Sequence, residues 1–150
     1  MPTHARTQIR NAAIAAVTGL PTTGAEVYSG RTRNLAENHP PTLLVYATDE
    51  VDIVDATGHP ATLYRTMTLA IEGRVEGNAA ETVEDLLDQI AAEVEPAIAA
   101  GALLIGLCVE VTLAAIRTNI VSPGVSHIGG IRMEYRVGYR TKENAPTVAV

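Results

Sequence analysis

From Ile131 to Arg140 the chain reads Ile-Arg-Met-Glu-Tyr-Arg-Val-Gly-Tyr-Arg. Ile131, Met133, Tyr135, Val137 and Tyr139 alternate there with Arg132, Glu134, Arg136 and Arg140. Successive side chains of an extended strand point to opposite faces, so this run commits one face to a core and leaves the other charged. A helix would scatter the same residues around its axis. A chain with such a strand needs further strands beside it and helices to cover its apolar face.

The companions are visible upstream. Thr42 to Val54 is rich in Leu, Val and Ile, and the turn formers Asp55-Ala56-Thr57-Gly58-His59-Pro60 follow it. Leu63, Met67, Leu69 and Ile71 then alternate with Tyr64, Thr66, Thr68, Ala70 and Glu72, which predicts a long hairpin. A short strand is expected over Ala25 to Gly30 and another over Leu107 to Val121, with Ser122-Pro123-Gly124 and Gly129-Gly130 as the break before the last strand. Residues 34–41, with two prolines, read as a loop.

Two segments carry helical spacing. Between Thr3 and Thr18, Ala5, Ile9, Ala13, Ala16 and Val17 recur on one side, and Gly19 and Pro21 stop the helix. In the second, Val83, Leu86, Leu87, Ile90 and Val94 form an apolar stripe, with Glu84, Asp85, Asp88 and Glu93 outside it. Asn78-Ala79-Ala80-Glu81 looks like a variant capping box, Pro96 is expected to kink or end the helix, and Gly101 to close a short turn after it. Residues 142–150 show no period and predict a flexible tail behind a domain of residues 1–141. The expected fold is α+β in one domain: a mostly antiparallel or mixed sheet of four to five strands, with two main helices packed on one face.

Composition narrows the function. The chain has five Tyr but neither Phe nor Trp, so its core is aliphatic and it lacks the usual platforms for stacking bases or sugars. Its 17 acidic and 11 basic residues leave a net charge of −6, and no basic cluster marks a nucleic-acid footprint. The single Cys108, between Leu107 and Val109, rules out an intrachain disulfide and reads as a small buried hydrophobe. No signal peptide opens the chain, and the uncharged stretch from Pro96 to Val109 is too short to span a bilayer, so no membrane role is expected.

No chemistry-bearing constellation emerges. His4, His39, His59 and His127 are scattered, without metal-ligand spacing and without a second Cys. No nucleophile elbow occurs, and the glycines from 124 to 130 precede a strand rather than open a helix, so they do not form a phosphate loop. The sequence predicts no cofactor, no metal and no enzyme; the enzymatic alternative would use His59 or His127 with a nearby acid. The candidate interaction residues are Arg31 and Arg33 after the first strand, Asp49, Glu50, Asp52, Asp55 and His59 at the hairpin end, and Ser122 and His127 around the last loop.

The order helix, strand, hairpin, acidic helix, two long strands is informative in itself. With it come Arg6 and Arg10 in the opening helix, Pro41-Thr42-Leu43-Leu44-Val45-Tyr46, Leu69-Ala70-Ile71-Glu72, Leu86-Leu87-Asp88, and the closing run from Gly129-Gly130 through Tyr139-Arg140-Thr141. Together these resemble the minor tail protein U family, the tail terminators of lambda-like siphophages, over about Thr3 to Thr141. The resemblance implies a structural virion subunit that forms a six-fold ring on the last ring of the major tail protein, stops tube growth and presents a surface to the head connector. It implies a place at the head-proximal end of the tail, host cytoplasm during assembly, and DNA only passing through the lumen. A head–tail connector or neck protein of the same region is the alternative. On this reading the hairpin end makes contacts along the tail axis, while Arg31, Arg33 and the Ser122 to Gly130 loop meet neighbouring subunits or the tube.

Overall fold

A computed structural model describes residues 2–30, 32, 35, 39–101, 106–122, 124 and 126–150. Its elements in chain order are α1 (Ala5–Val17), β1 (Val27–Ser29), β2 (Thr42–Ala56), β3 (Thr62–Gly77), α2 (Ala80–Ala99), β4 (Glu110–Val121), β5 (His127–Lys142) and β6 (Ala145–Ala149). The strands form one mixed sheet in the order β1-β2-β3-β5-β4, with β6 paired to the end of β5. β1 is parallel to β2 and the other pairings are antiparallel. This is the expected α+β domain, with six strands rather than four to five.

The expected alternation in β5 is borne out, because Ile131, Met133, Tyr135, Val137 and Tyr139 all lie in the core. The facing residues of β3, Met67, Leu69, Ile71 and Val75, join them. α2 lays Val83, Leu87, Ile90, Val94 and Ile98 over this face, and α1 adds Ala5, Ile9, Ala13 and Val17. Each large aliphatic side chain buried in this way contributes about 1.5–3 kcal/mol. Close approach of α2 explains a feature the sequence misplaces. Gly129 and Gly130 are not a turn but part of β5, and a Cβ on Gly129 would stand 2.3 Å from Val83 Cγ1. Glycine therefore lets the helix settle onto the strand.

Other expectations need correction. The capping box is not made: Ala79 is the N-cap of α2, no side chain caps it, and its carbonyl accepts from Val83 N–H. Pro96 does not end α2, which continues to Ala99; burial of Ile98 in the core outweighs the single backbone bond that proline cannot make. Gly101, at φ +84°, then provides the left-handed residue at the exit. The C-terminal residues are not a frayed end: Ala145–Ala149 form β6, and Gln8 Nε2 donates to the Thr147 carbonyl at 2.7 Å, fastening the strand to α1. α1 itself is capped by the His4 imidazole, which accepts from Arg6 N–H at 3.1 Å. Burial and then the Arg6 charge lower the His4 pKa, favouring the neutral ring that can accept. Among the described residues no helix is long and apolar enough to cross a membrane.

Candidate assembly surface

The predicted hairpin projects as an arm because of one irregularity. Ala47 pairs with Leu69, but the next partners are Glu50 and Met67, so β2 spends one residue more than β3 and a bulge results. The extra residue reverses which face each later side chain of β2 occupies. Before it, Leu43 and Val45 face the helices; after it, Glu50 and Asp52 do, while Val51 and Ile53 move to the opposite face. Val51 is 67% exposed, Ile53 60% and Val54 59%. The turn at the arm's tip contains a cis His59–Pro60 bond.

A polar clamp holds the arm at its base. Arg65, only 8% exposed, stands on the helix side of β3, where it donates from Nε to Thr141 Oγ1 at 2.9 Å. Its Nη1 lies 3.3 Å from Glu50 and 3.1 Å from Asp52. Arg6 of α1 approaches Glu50 at 3.4 Å, and the Tyr139 hydroxyl donates a short hydrogen bond to the same carboxylate. Burial alone would raise the Glu50 pKa, but the Tyr139 hydrogen bond and the Arg6 and Arg65 charges outweigh it, so the group titrates below its ordinary value. Burial and then the Glu50 charge push Asp52 the other way. Burial, together with the bond to Glu50, raises the Tyr139 pKa and keeps the phenol protonated as a donor.

The face of the sheet away from the helices carries a charged lattice. Arg132 pairs with Glu134 at 3.1 Å and lies over the Tyr46 ring, and Arg117 reaches the same Glu134 at 3.5 Å. Arg140 pairs with Asp55 at 2.6 Å and lies over the Tyr64 ring. Arg136 is exposed and meets Glu110 only at 4.0 Å. A shallow cavity of about 340 Å³ opens on this face beside the side-chain-free Gly129-Gly130 stretch, with Arg74, Arg117 and Arg132 around it.

Among the described residues, two edges of the sheet have no further strand beside them. β1 pairs with β2 only at Leu43, Leu44 and Val45, and among the described residues no strand continues along the arm beyond them. On the far side, among the described residues, β4 pairs with β5 alone. β4 contains no Pro or Lys to discourage pairing, and Ile116 and Val121 are exposed along it.

Of the predicted residues, Asp49, Glu50, Asp52 and Asp55 are brought together at the arm. Asp49 is exposed at the bulge, Glu50 and Asp52 are engaged with Arg65, and Asp55 is held by Arg140. His59 is fully exposed at the tip, with Nδ1 3.6 Å from the Glu143 carboxylate. Ser122 and His127 lie at the other end of the sheet, where hydroxyl and Nδ1 hydrogen-bond and close the loop between β4 and β5. Arg31 and Arg33 fall outside the described residues. Sequence reasoning did not single out Arg65, Tyr139 or Arg6 as partners of the acidic run. The one available signal was a lone arginine at a core-facing position of the β3 alternation. Cys108 is half-buried, and burial pushes its thiol up to about 12, which suits a packing role. Among the described residues no cluster of three or more His, Cys, Asp or Glu is placed to hold a metal.

No family model matches the chain, and no curated protein does. Among solved structures it is similar to a chain of the virion of a native gene transfer agent (GTA) particle, at 14% identity and a TM-score of 0.35, covering 90% of this chain and 92% of that one.

Proposed function

We propose that this chain is a structural subunit of a phage-type virion that terminates tail-tube polymerisation and forms the head-proximal ring joining tail to head. The observation that carries the reading is the sheet's openness on opposite sides. Among the described residues, one edge extends into a clamped, projecting arm, the other is strand β4 with no further strand beside it, and helices cover one face. Two different uncovered surfaces are what a heterologous, ring-closing contact requires. The order of elements, which resembles the tail-terminator family, supports the same role. In this reading the partners are further copies in a six-fold ring, the major tail protein beneath and the head connector above, with DNA passing through the lumen.

The test is deletion of the gene from the particle-producing cell and complementation in trans, with tails imaged by electron microscopy. Tails that overrun their normal length and carry no heads, restored to normal by the intact chain, are the expected result. Headless tails of normal length would replace termination with a connector role, and normal particles would remove the virion role. In parallel, light scattering should give a discrete species of six 15.8 kDa chains.

A further inference from the structure

Charge is divided unevenly between the two faces of the molecule. α2 holds six carboxylates, Glu81, Glu84, Asp85, Asp88, Glu93 and Glu95, and no cation. Glu93 accepts from the Thr22 N–H and hydroxyl. Glu81, Glu84, Asp85 and Asp88 are exposed and join no ion pair among the described residues. Glu81 and Asp85, and likewise Glu84 and Asp88, stand four residues apart and repel each other along the helix. The helix dipole offsets this only in the first turn. On the open face of the sheet, Arg74, Arg117 and Arg132 surround the cavity of about 340 Å³, with Glu72 on its wall beside Arg74. Arg117 and Arg132 are directly opposite each other on β4 and β5, where like charges repel, and both lean on the single carboxylate of Glu134. The Arg117 side chain is 70% exposed. Gly130 leaves the cavity floor to the main chain: a Cβ there would meet nothing closer than the Gly73 carbonyl oxygen at 3.8 Å.

The two charged surfaces stand at the same level along the strands. Arg132 lies between Glu72 and Arg117, and Gly130 between Arg74 and Asn119. On the helix side of these rows, Val83 and Leu87 lie over Gly129, and Ile90 over Gly73. The acidic turns of α2 and the arginine-lined cavity are therefore back to back across the sheet. A second copy related by rotation about an axis along the strands, without inversion, keeps that level and can bring its α2 over the cavity of the first. We propose that the cavity and its arginines receive the acidic face of α2, from Glu81 to Asp88, of a second copy. Three guanidinium groups against Glu72 and Glu134 leave an excess of positive charge there, complementary to the uncompensated carboxylates of the helix. The acids of the arm match the cavity less well, because Glu50 and Asp52 are already held by Arg65 and Asp55 by Arg140. The two surfaces lie on opposite faces of one subunit, so the contact is heterologous and passes from copy to copy. This rests on the ring-forming role above and names the surfaces that close the ring.

The test is sedimentation of full-length chains over a concentration series, with Arg117→Glu and Asp85→Arg made separately and together. Both side chains are exposed, and Asp85 lies on the side of α2 opposite Val83 and Leu87. Urea unfolding checks that each variant folds as the wild type does. The neutral variants Arg117→Gln and Asp85→Asn, with smaller losses of the same sign, replace any reversal that unfolds. Each single reversal is expected to weaken self-association by about tenfold or more, and the double variant to recover most of that loss. An effect confined to one single variant, or a double variant that recovers nothing, would overturn the pairing of these two faces. Unchanged association in both singles, with the wild type still a discrete six-chain species, would overturn the contact and leave the ring intact. Reversal and recovery in a species that grows without limit would keep the contact and remove the closed ring. A wild type that stays monomeric throughout the series would overturn both.

Discussion

The two halves of β2 are one continuous strand with opposite fates. Thr42 to Tyr46 are all buried, with Leu43 and Val45 under the helices and Leu44 and Tyr46 against Ala70 and Tyr28 on the other face. Val51 to Ala56 are all exposed, although Val51, Ile53 and Val54 are as apolar as the residues of the first half. The apolar character of those side chains therefore does not decide which are buried. What separates them is where the helices end and where the bulge reverses the faces. Apolar side chains that cover no core and sit on a rigidly clamped ribbon are suited to meeting another chain.

This comparison breaks most severely at the buried half. Leu43→Ala is expected to cost about 2–5 kcal/mol, read as a lowered midpoint in urea unfolding with an unchanged slope. At the junction, Arg65→Ala removes the cation between Glu50 and Asp52 and is expected to cost about 1.5–3 kcal/mol by the same measurement. A loss as small as that of an exposed arginine would show that the arm is not held by this clamp.

Glu50→Gln sharpens the electrostatic half of the comparison and is expected to cost less than Arg65→Ala, because Arg65 keeps Asp52. Folding lowers the Glu50 pKa from its ordinary 4.5, so its contribution is present above that value and is lost as pH falls through the depressed one. The stability gap between wild type and Glu50→Gln should therefore be full near neutral pH and close progressively below about pH 4.5. Asp52, raised from 3.8, has the opposite sign: its contribution favours the protonated state and fades as pH rises. Asp52→Asn should accordingly cost little at neutral pH. The smallest effect belongs to the exposed half, where Ile53→Ser is expected to change stability by less than about 0.5 kcal/mol while weakening self-association in sedimentation. Destabilisation comparable to Leu43→Ala would show that the arm is part of the core.

The elements that could be read in advance are those whose signal is local and periodic. The β5 alternation, the α2 stripe and the turn from Asp55 to Pro60 each carry their own period or turn chemistry, and all three are present. Pro96 does not end the helix, one of the two outcomes expected of it, because burial of Ile98 outweighs the backbone bond that proline cannot make. The acidic run was visible as a group of interaction candidates, yet its partners Arg65, Tyr139 and Arg6 lie far along the chain and were invisible as a set.

The sequence by itself determined the class of fold, the identity of the core strands and the presence of a long hairpin, because side-chain period is a property of neighbouring residues. Only the tertiary structure decided that β1 lies parallel to β2, that Ala145–Ala149 complete the sheet, that Gly129 lies beneath a helix, and that one bulge turns the acidic side chains inward to a buried arginine while lifting Val51 and Ile53 onto the open face. These features depend on which strand lies beside which and in what register. That choice is set by contacts between residues remote in sequence, and no local pattern encodes it.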